Sequence, residues 1–153
     1  MNSITKKYAI PFIAALAFIG FSAVNIANAT EAIVYKSPGC LCCDDWAKHL
    51  ENSGFKVKTE LRDDMDRVKA ANGITDKLAS CHTAKIDGYV IEGHVPASDV
   101  KRLLKDKPAD IVGLTAPGMP MKSPGMQAEG LAPKGYDVLA IKKDGSTEVY
   151  TRY

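Results

Sequence analysis

Three thiols stand within four residues at Cys40-Leu41-Cys42-Cys43, and Cys81 supplies a fourth. Such thiols can close disulfides, exchange them or hold a metal. Cys40 and Cys43 make a C-x-x-C pair at the predicted start of a helix, where the partial positive charge of the helix terminus favours thiolates. Asp44 and Asp45 act against this, because nearby carboxylates disfavour a thiolate, although a bound cation reverses that balance. The third sulfur, Cys42, is informative. Disulfide exchange needs two sulfurs, and three so closely spaced fit poorly around one tetrahedral Zn²⁺, whose cysteines are usually separated by two to four residues. Sulfurs bridging several soft ions fit better, and Cu(I) selects thiolate and thioether ligands. A multinuclear Cu(I) site is therefore predicted. Two other readings stay open. Cys40 and Cys43 could serve a thiol-disulfide oxidoreductase, or they could be a structural disulfide with Cys42 and Cys81 paired or merely buried.

Further candidate donors are two histidines and a methionine-rich loop. His94, at the end of a predicted strand, is taken as an imidazole ligand. His82 follows Cys81, so on a strand the two side chains are expected on opposite faces. His49 lies two helical turns from Cys42, about 10 Å away at 1.5 Å per residue, and is expected to face solvent. Gly118-Met-Pro-Met-Lys-Ser-Pro-Gly-Met126 carries three thioethers, Met119, Met121 and Met126. Methionine ordinarily fills cores, but this stretch is too rich in proline and glycine for a core helix. Met119 and Met126 are taken as weak, exchangeable ligands on a loop folded over the cysteines. Tyr35 and Trp46 are expected to pack.

The elements that must position these residues can be read along the chain. Ala32 to Tyr35 is a short apolar strand, followed by the Ser37-Pro38-Gly39 turn, and a helix runs from Cys42 to just before Gly54. Phe55 to Leu61 alternates apolar and polar residues, giving a βαβ unit with parallel strands. A second helix is expected over Asp63 to Ala71 and a further helical turn over Thr75 to Leu78. Asp87-Gly88 joins strands at His82 to Ile86 and Tyr89 to Glu92, and Pro96 opens an amphipathic helix. Between Pro108 and Gly135 no strand or helix of ordinary length is expected, so this is read as a long functional loop. Tyr136 to Ile141 and Thr147 to Thr151 flank Asp144-Gly145 as a C-terminal β-hairpin. The predicted class is α/β, with a mixed central sheet flanked by helices.

Lys6 and Lys7, an apolar run from Ala9 to Val24 and Ala27-Asn28-Ala29 have the form of a cleaved signal peptide at residues 1–29. The apolar run is short against the roughly 20 residues of a membrane span, so an uncleaved anchor is the lesser alternative. Thr30 to Tyr153 then forms a single domain in an exported compartment where disulfides can persist. The formal charge of +2 falls to about zero without the leader lysines. No basic run follows a phosphate backbone, so nucleic acid is excluded as a partner.

The segments Tyr35-Lys-Ser-Pro-Gly-Cys-Leu-Cys-Cys43, Leu78-Ala-Ser-Cys-His-Thr83, Asp87-Gly-Tyr-Val-Ile-Glu-Gly-His-Val-Pro96 and Gly118-Met-Pro to Ser123-Pro-Gly-Met126 together resemble the CopG-type family of small periplasmic copper-resistance proteins. The resemblance implies a thioredoxin-like fold whose redox motif is replaced by a cysteine-bridged Cu(I) cluster, with a role in changing the copper oxidation state. The ligand sulfurs it implies are Cys40, Cys42, Cys43 and Cys81. Cys81 occupies the place where thioredoxins usually carry a proline. Leu41 replaces a glycine common in relatives, adding bulk beside the metal. Partners expected on this reading are copper ions and a periplasmic copper carrier or membrane copper transporter, and the protein is expected to act as a monomer.

Overall fold

A computed structural model describes residues 29–153; the leader predicted at residues 1–29 lies, but for its last residue, outside them. The first strand, β1 (Glu31–Lys36), buries Ala32, Val34 and Lys36 on one face, as the two-residue side-chain period of a strand dictates. Helix α1 (Leu41–Asn52) follows the Ser37-Pro38-Gly39 turn and buries Cys43, Trp46, Ala47 and Leu50. It returns the chain to β2 (Lys56–Leu61), which pairs parallel with β1 from Glu31↔Lys56 to Lys36↔Leu61. The expected βαβ unit is present.

Helix α2 (Met65–Ala71) is shorter than expected, and Thr75–Leu78 is a turn closed by the Leu78 N–H donating to the Thr75 carbonyl at 2.9 Å rather than a helix. Strands β3 (His82–Ile86) and β4 (Tyr89–Gly93) pair antiparallel across Asp87-Gly88. Helix α3 (Ala97–Asp106) then crosses over to β5 (Ile111–Ala116), which lies parallel to β4. Strand β5 corrects the expectation of a structureless segment from Pro108 to Gly135. Five of its six residues are buried, and a strand covered on both faces has no apolar-polar alternation to betray it. The irregular part begins only after Ala116. Strands β6 (Asp137–Lys142) and β7 (Thr147–Arg152) pair antiparallel.

The result is a mixed α/β fold with a seven-stranded sheet in the order β2-β1-β3-β4-β5-β6-β7. Its larger core joins Trp46 and Leu50 of α1 and Val100 and Leu103 of α3 to Val34, Ile91, Leu114 and Ala140 of the sheet. A smaller cluster of Ile74, Leu78, Val90 and Ile141 uses the alternate residues of β4 and β6, so it lies on the opposite face. The C-terminal end is tied to α3 through buried Asp99, whose carboxylate accepts hydrogen bonds from Thr151 Oγ1 at 2.7 Å and Tyr153 OH at 2.9 Å. Among the described residues no helix is long and apolar enough to cross a membrane.

Candidate metal centre

Cys40 precedes the first residue of α1, and its carbonyl accepts the Asp44 N–H at 3.4 Å to begin the helix. One helical turn brings Cys43 back to it, and the two form a disulfide with Cα atoms 5.4 Å apart. Cys42 and Cys81 carry free thiols. Cys42 Sγ lies 3.7 Å from Cys40 Sγ and 3.9 Å from Cys81 Sγ, and all four sulfurs fall within 4.8 Å of one another. Two thiolates about 2.3 Å from one tetrahedral soft ion stand about 3.8 Å apart. The Cys42 sulfur therefore has both neighbours at the spacing a shared ion needs, and opening the disulfide would supply the other two thiolates.

Cys81 is held by the turn before β3. The Ser80 N–H donates to Glu92 Oε1 at 2.7 Å, and Ser80 Oγ donates to the Gly118 carbonyl. Gly93 makes this approach possible: at φ +71°, a Cβ there would meet the Ser80 side chain and the Ala116 carbonyl. Because Cys81 precedes the strand, the alternation expected for Cys81 and His82 does not apply. Cys81 Sγ lies 3.6 Å from His82 Nδ1 and 2.9 Å from His94 Nε2. The Pro124 carbonyl can only accept, so the His94 Nδ1–H donates to it at 2.8 Å and leaves Nε2 facing the sulfur. His82 is fully buried, with its ring 4.3 Å from that of Trp46 and 5.1 Å from that of His94. Trp46 Nε1–H is anchored on the Val95 carbonyl at 2.8 Å.

Burial pushes the Cys81 thiol up to about 11, with the neighbouring Cys42 adding to the shift. Burial likewise holds His82 well below its usual value, helped by the charges of His94, Lys69 and Lys36. It also lowers His94, against the opposing Pro124 carbonyl. Both rings are thus neutral near pH 7, the state a metal ligand requires.

The methionine-bearing segment closes one side of the site with its backbone. The Gly118 N–H donates to the Ala79 carbonyl at 2.9 Å, Pro124 meets His94, and Gly125 lies against the Cys42 carbonyl and the Trp46 N–H. Met119 and Met121 are 59% and 70% exposed, while Met126 is half-buried beside Gly125. His49 does not stand free in solvent as expected: its Nε2 accepts the Ala97 N–H at 3.2 Å, and Nδ1 lies 3.5 Å from Glu129.

Solved structures share this fold. Residues 78–126 match the family described as "Protein of unknown function, DUF411". A solved structure described as "Copper resistance protein copG- Form 2" aligns with a TM-score of 0.76 at 40% sequence identity, covering 82% of this chain and 99% of that one. Its "Form 1" counterpart aligns with a TM-score of 0.75 at 40% identity, covering 82% and 98%. The chain belongs to the CopG family of copper-resistance proteins. No curated protein sequence matches it.

Within this CopG-family site, two charged residues escaped the sequence reading. Lys36 is 3% exposed; its ammonium lies 2.5 Å from the Asp44 carboxylate and donates to the Cys40 carbonyl at 3.1 Å. It turns Asp44 into a partner of the helix start and offsets the charge that would oppose the thiolates. Glu92 is fully buried and accepts from Lys69 at 2.5 Å and Thr83 Oγ1 at 2.6 Å, as well as from Ser80. The available signal was a charged residue where strand alternation calls for an apolar one, Lys36 after Ala32 and Val34.

Proposed function

We propose that this protein holds Cu(I) in copper resistance and homeostasis, through a cysteine-bridged multinuclear site built on Cys40, Cys42, Cys43 and Cys81. The observation that carries the reading is the convergence of four sulfurs within 4.8 Å, a soft donor set that selects Cu(I). The copper-resistance description of the relatives supports it. His94 is proposed as an imidazole donor, and Met119 and Met126 as weak thioether donors reached by movement of their loop. The β1-α1-β2 unit, with its cysteines at the start of α1, is proposed to be thioredoxin-like, with β6 and β7 as an added C-terminal hairpin. Residues 1–29 are proposed to be a cleaved signal peptide, placing residues 30–153 as one domain in the periplasm. Copper would be exchanged there with a periplasmic carrier or membrane transporter, with conversion between Cu(I) and Cu(II) as an accompanying activity.

The deciding experiment is copper stoichiometry after anaerobic reconstitution of the fully reduced protein against a competing Cu(I) chelator. More than one ion per chain is expected, as thiolates shared between ions give, and Cys42→Ser should lower it. A protein that releases all its copper to the chelator refutes the proposal.

A second reading is favoured by the Cys40–Cys43 disulfide at the start of a helix, the arrangement of a thiol-disulfide oxidoreductase. It leaves Cys42 and Cys81 without a role. On that reading Cys42→Ser retains disulfide-exchange activity, whereas the copper reading expects no such activity to depend on the pair.

A further inference from the structure

Two donor sets meet at Cys81. One is the group of four sulfurs; the other is Cys81 with His82 and His94, whose ligating atoms also lie within 4.8 Å of one another. The first set requires Cys40 and Cys43 as thiolates, and the structure holds those two as a disulfide. The second set is untouched by that bond. We propose that Cys81, His82 and His94 form a second, nitrogen-rich subsite that retains one Cu(I) ion when Cys40 and Cys43 are joined, so that the disulfide sets how much copper the protein holds. This inference rests on the copper reading above and assigns the regulation of the same site.

The geometry of the imidazoles supports a built subsite. His94 Nε2 is 2.9 Å from Cys81 Sγ, and its other nitrogen is fixed by the Pro124 carbonyl, the outer hydrogen bond that characteristically orients a metal-bound histidine. His82 Nδ1 is 3.6 Å from the same sulfur, and the ring is clamped beside Trp46. His82 Nε2 is buried and has no hydrogen-bond partner among the described residues. Ligation would use the other nitrogen, Nδ1, which faces Cys81, so the subsite rests on the two ring nitrogens turned toward that sulfur. Imidazole and thiolate are both copper ligands. Cys42, 3.9 Å from Cys81, lies at the edge of this subsite and can add a second sulfur.

Disulfide closure is balanced by copper itself. Cys40 and Cys43, as the thiolates of the loaded cluster, each give up one electron as their sulfurs join; two Cu(II) ions arriving from outside accept the two electrons and become Cu(I), and no proton is released. Closure removes two thiolates from the cluster, so the bridged ions lose their shared ligands while the ion at Cys81, His82 and His94 keeps its own.

The test compares two preparations of the full mature chain, fully reduced and with the Cys40–Cys43 bond formed. Thiols are counted, and each preparation is loaded anaerobically with Cu(I) alone against a competing chelator. The expected result is four thiols with more than one copper for the reduced form, and two thiols with one copper for the oxidised form. X-ray absorption of the oxidised form should then show two nitrogen and at most two sulfur neighbours. His82→Gln and His94→Gln should each lose the oxidised-state ion. If the buried His82 variant does not fold, the His94 variant and the absorption spectrum decide. The proposal is overturned if the oxidised form holds no copper, if its copper sees sulfur alone, or if Cu(II) titration drives the thiol count to zero by joining Cys42 to Cys81. A reduced form that holds no more than one ion sinks the multinuclear reading instead, so the two failures are distinct.

Discussion

The Lys36 ammonium, on a side chain only 4% exposed, lies 2.5 Å from the half-exposed Asp44 carboxylate at the start of α1. Removing one partner of a buried ion pair strands the other, and the cost is larger when the stranded group is the deeper one. Asp44→Ala should therefore destabilise the protein by about 2 kcal/mol, and Lys36→Met/Asp44→Ala should recover more than half of that, a non-additivity visible in denaturant unfolding.

The same pair predicts an effect on copper. Lys36→Met leaves the Asp44 charge uncompensated beside the cysteines, which disfavours thiolates. Cu(I) should then pass more readily to a competing chelator, and the added Asp44→Ala substitution should restore retention. Equal retention in all three proteins would exclude this electrostatic role.

Glu92 ties Lys69, Thr83 and the Ser80 N–H together immediately before Cys81. Glu92→Gln preserves shape but leaves the Lys69 ammonium, 13% exposed, without its counter-charge. A loss of about 3 kcal/mol is expected by analogy with other broken buried pairs, together with faster copper release from the reduced protein because the Cys81 turn loosens. Stability measured by urea unfolding and release followed in the presence of chelator check the two parts separately.

Gly125 has φ +81°, and a Cβ there would stand 2.7 Å from both the Cys42 carbonyl and Trp46 N. Gly125→Ala should lift the loop from α1, with backbone strain and the clash together costing about 1–3 kcal/mol. Hydrogen exchange should rise in residues 118–126 while the sheet stays protected; unchanged exchange would show that the loop has room to adjust.

Tyr153 donates to Asp99, and burial, aided by the charge of Asp99, raises its phenol from 10 to about 12. A group whose folded pKa is raised keeps its proton longer in the native state, so its stabilisation is complete below pH 10 and is lost as pH climbs towards 12. Tyr153→Phe should lower stability at neutral pH and flatten the decline between pH 10 and 12. Tyr136, also raised by burial, should maintain a residual slope in the variant. Denaturant midpoints across that range measure both effects.

The local features of this protein were legible because they are local in origin. Strand-turn-helix at Cys40, the parallel β1-β2 unit and the Asp87-Gly88 turn follow from residue periodicity and turn chemistry, and the sulfur spacing at Cys40, Cys42 and Cys43 was sufficient to suggest a soft-metal site. Strand β5 was missed because a strand buried on both faces has no alternation to read.

What tertiary structure alone decided is which distant groups meet. Lys36 and Glu92 are ordinary surface residues by type, and only the packing of α1 and α2 on the sheet buries them against the cysteine turns. Strand alternation alone places His82 and Cys81 on opposite faces, yet Cys81 lies just outside β3, where that rule has no force. Composition and spacing require that four thiols be accommodated; the fold makes Cys81 face two neutral imidazoles as well as three sulfurs, because β3, β4 and the loop through Pro124 converge on the start of α1.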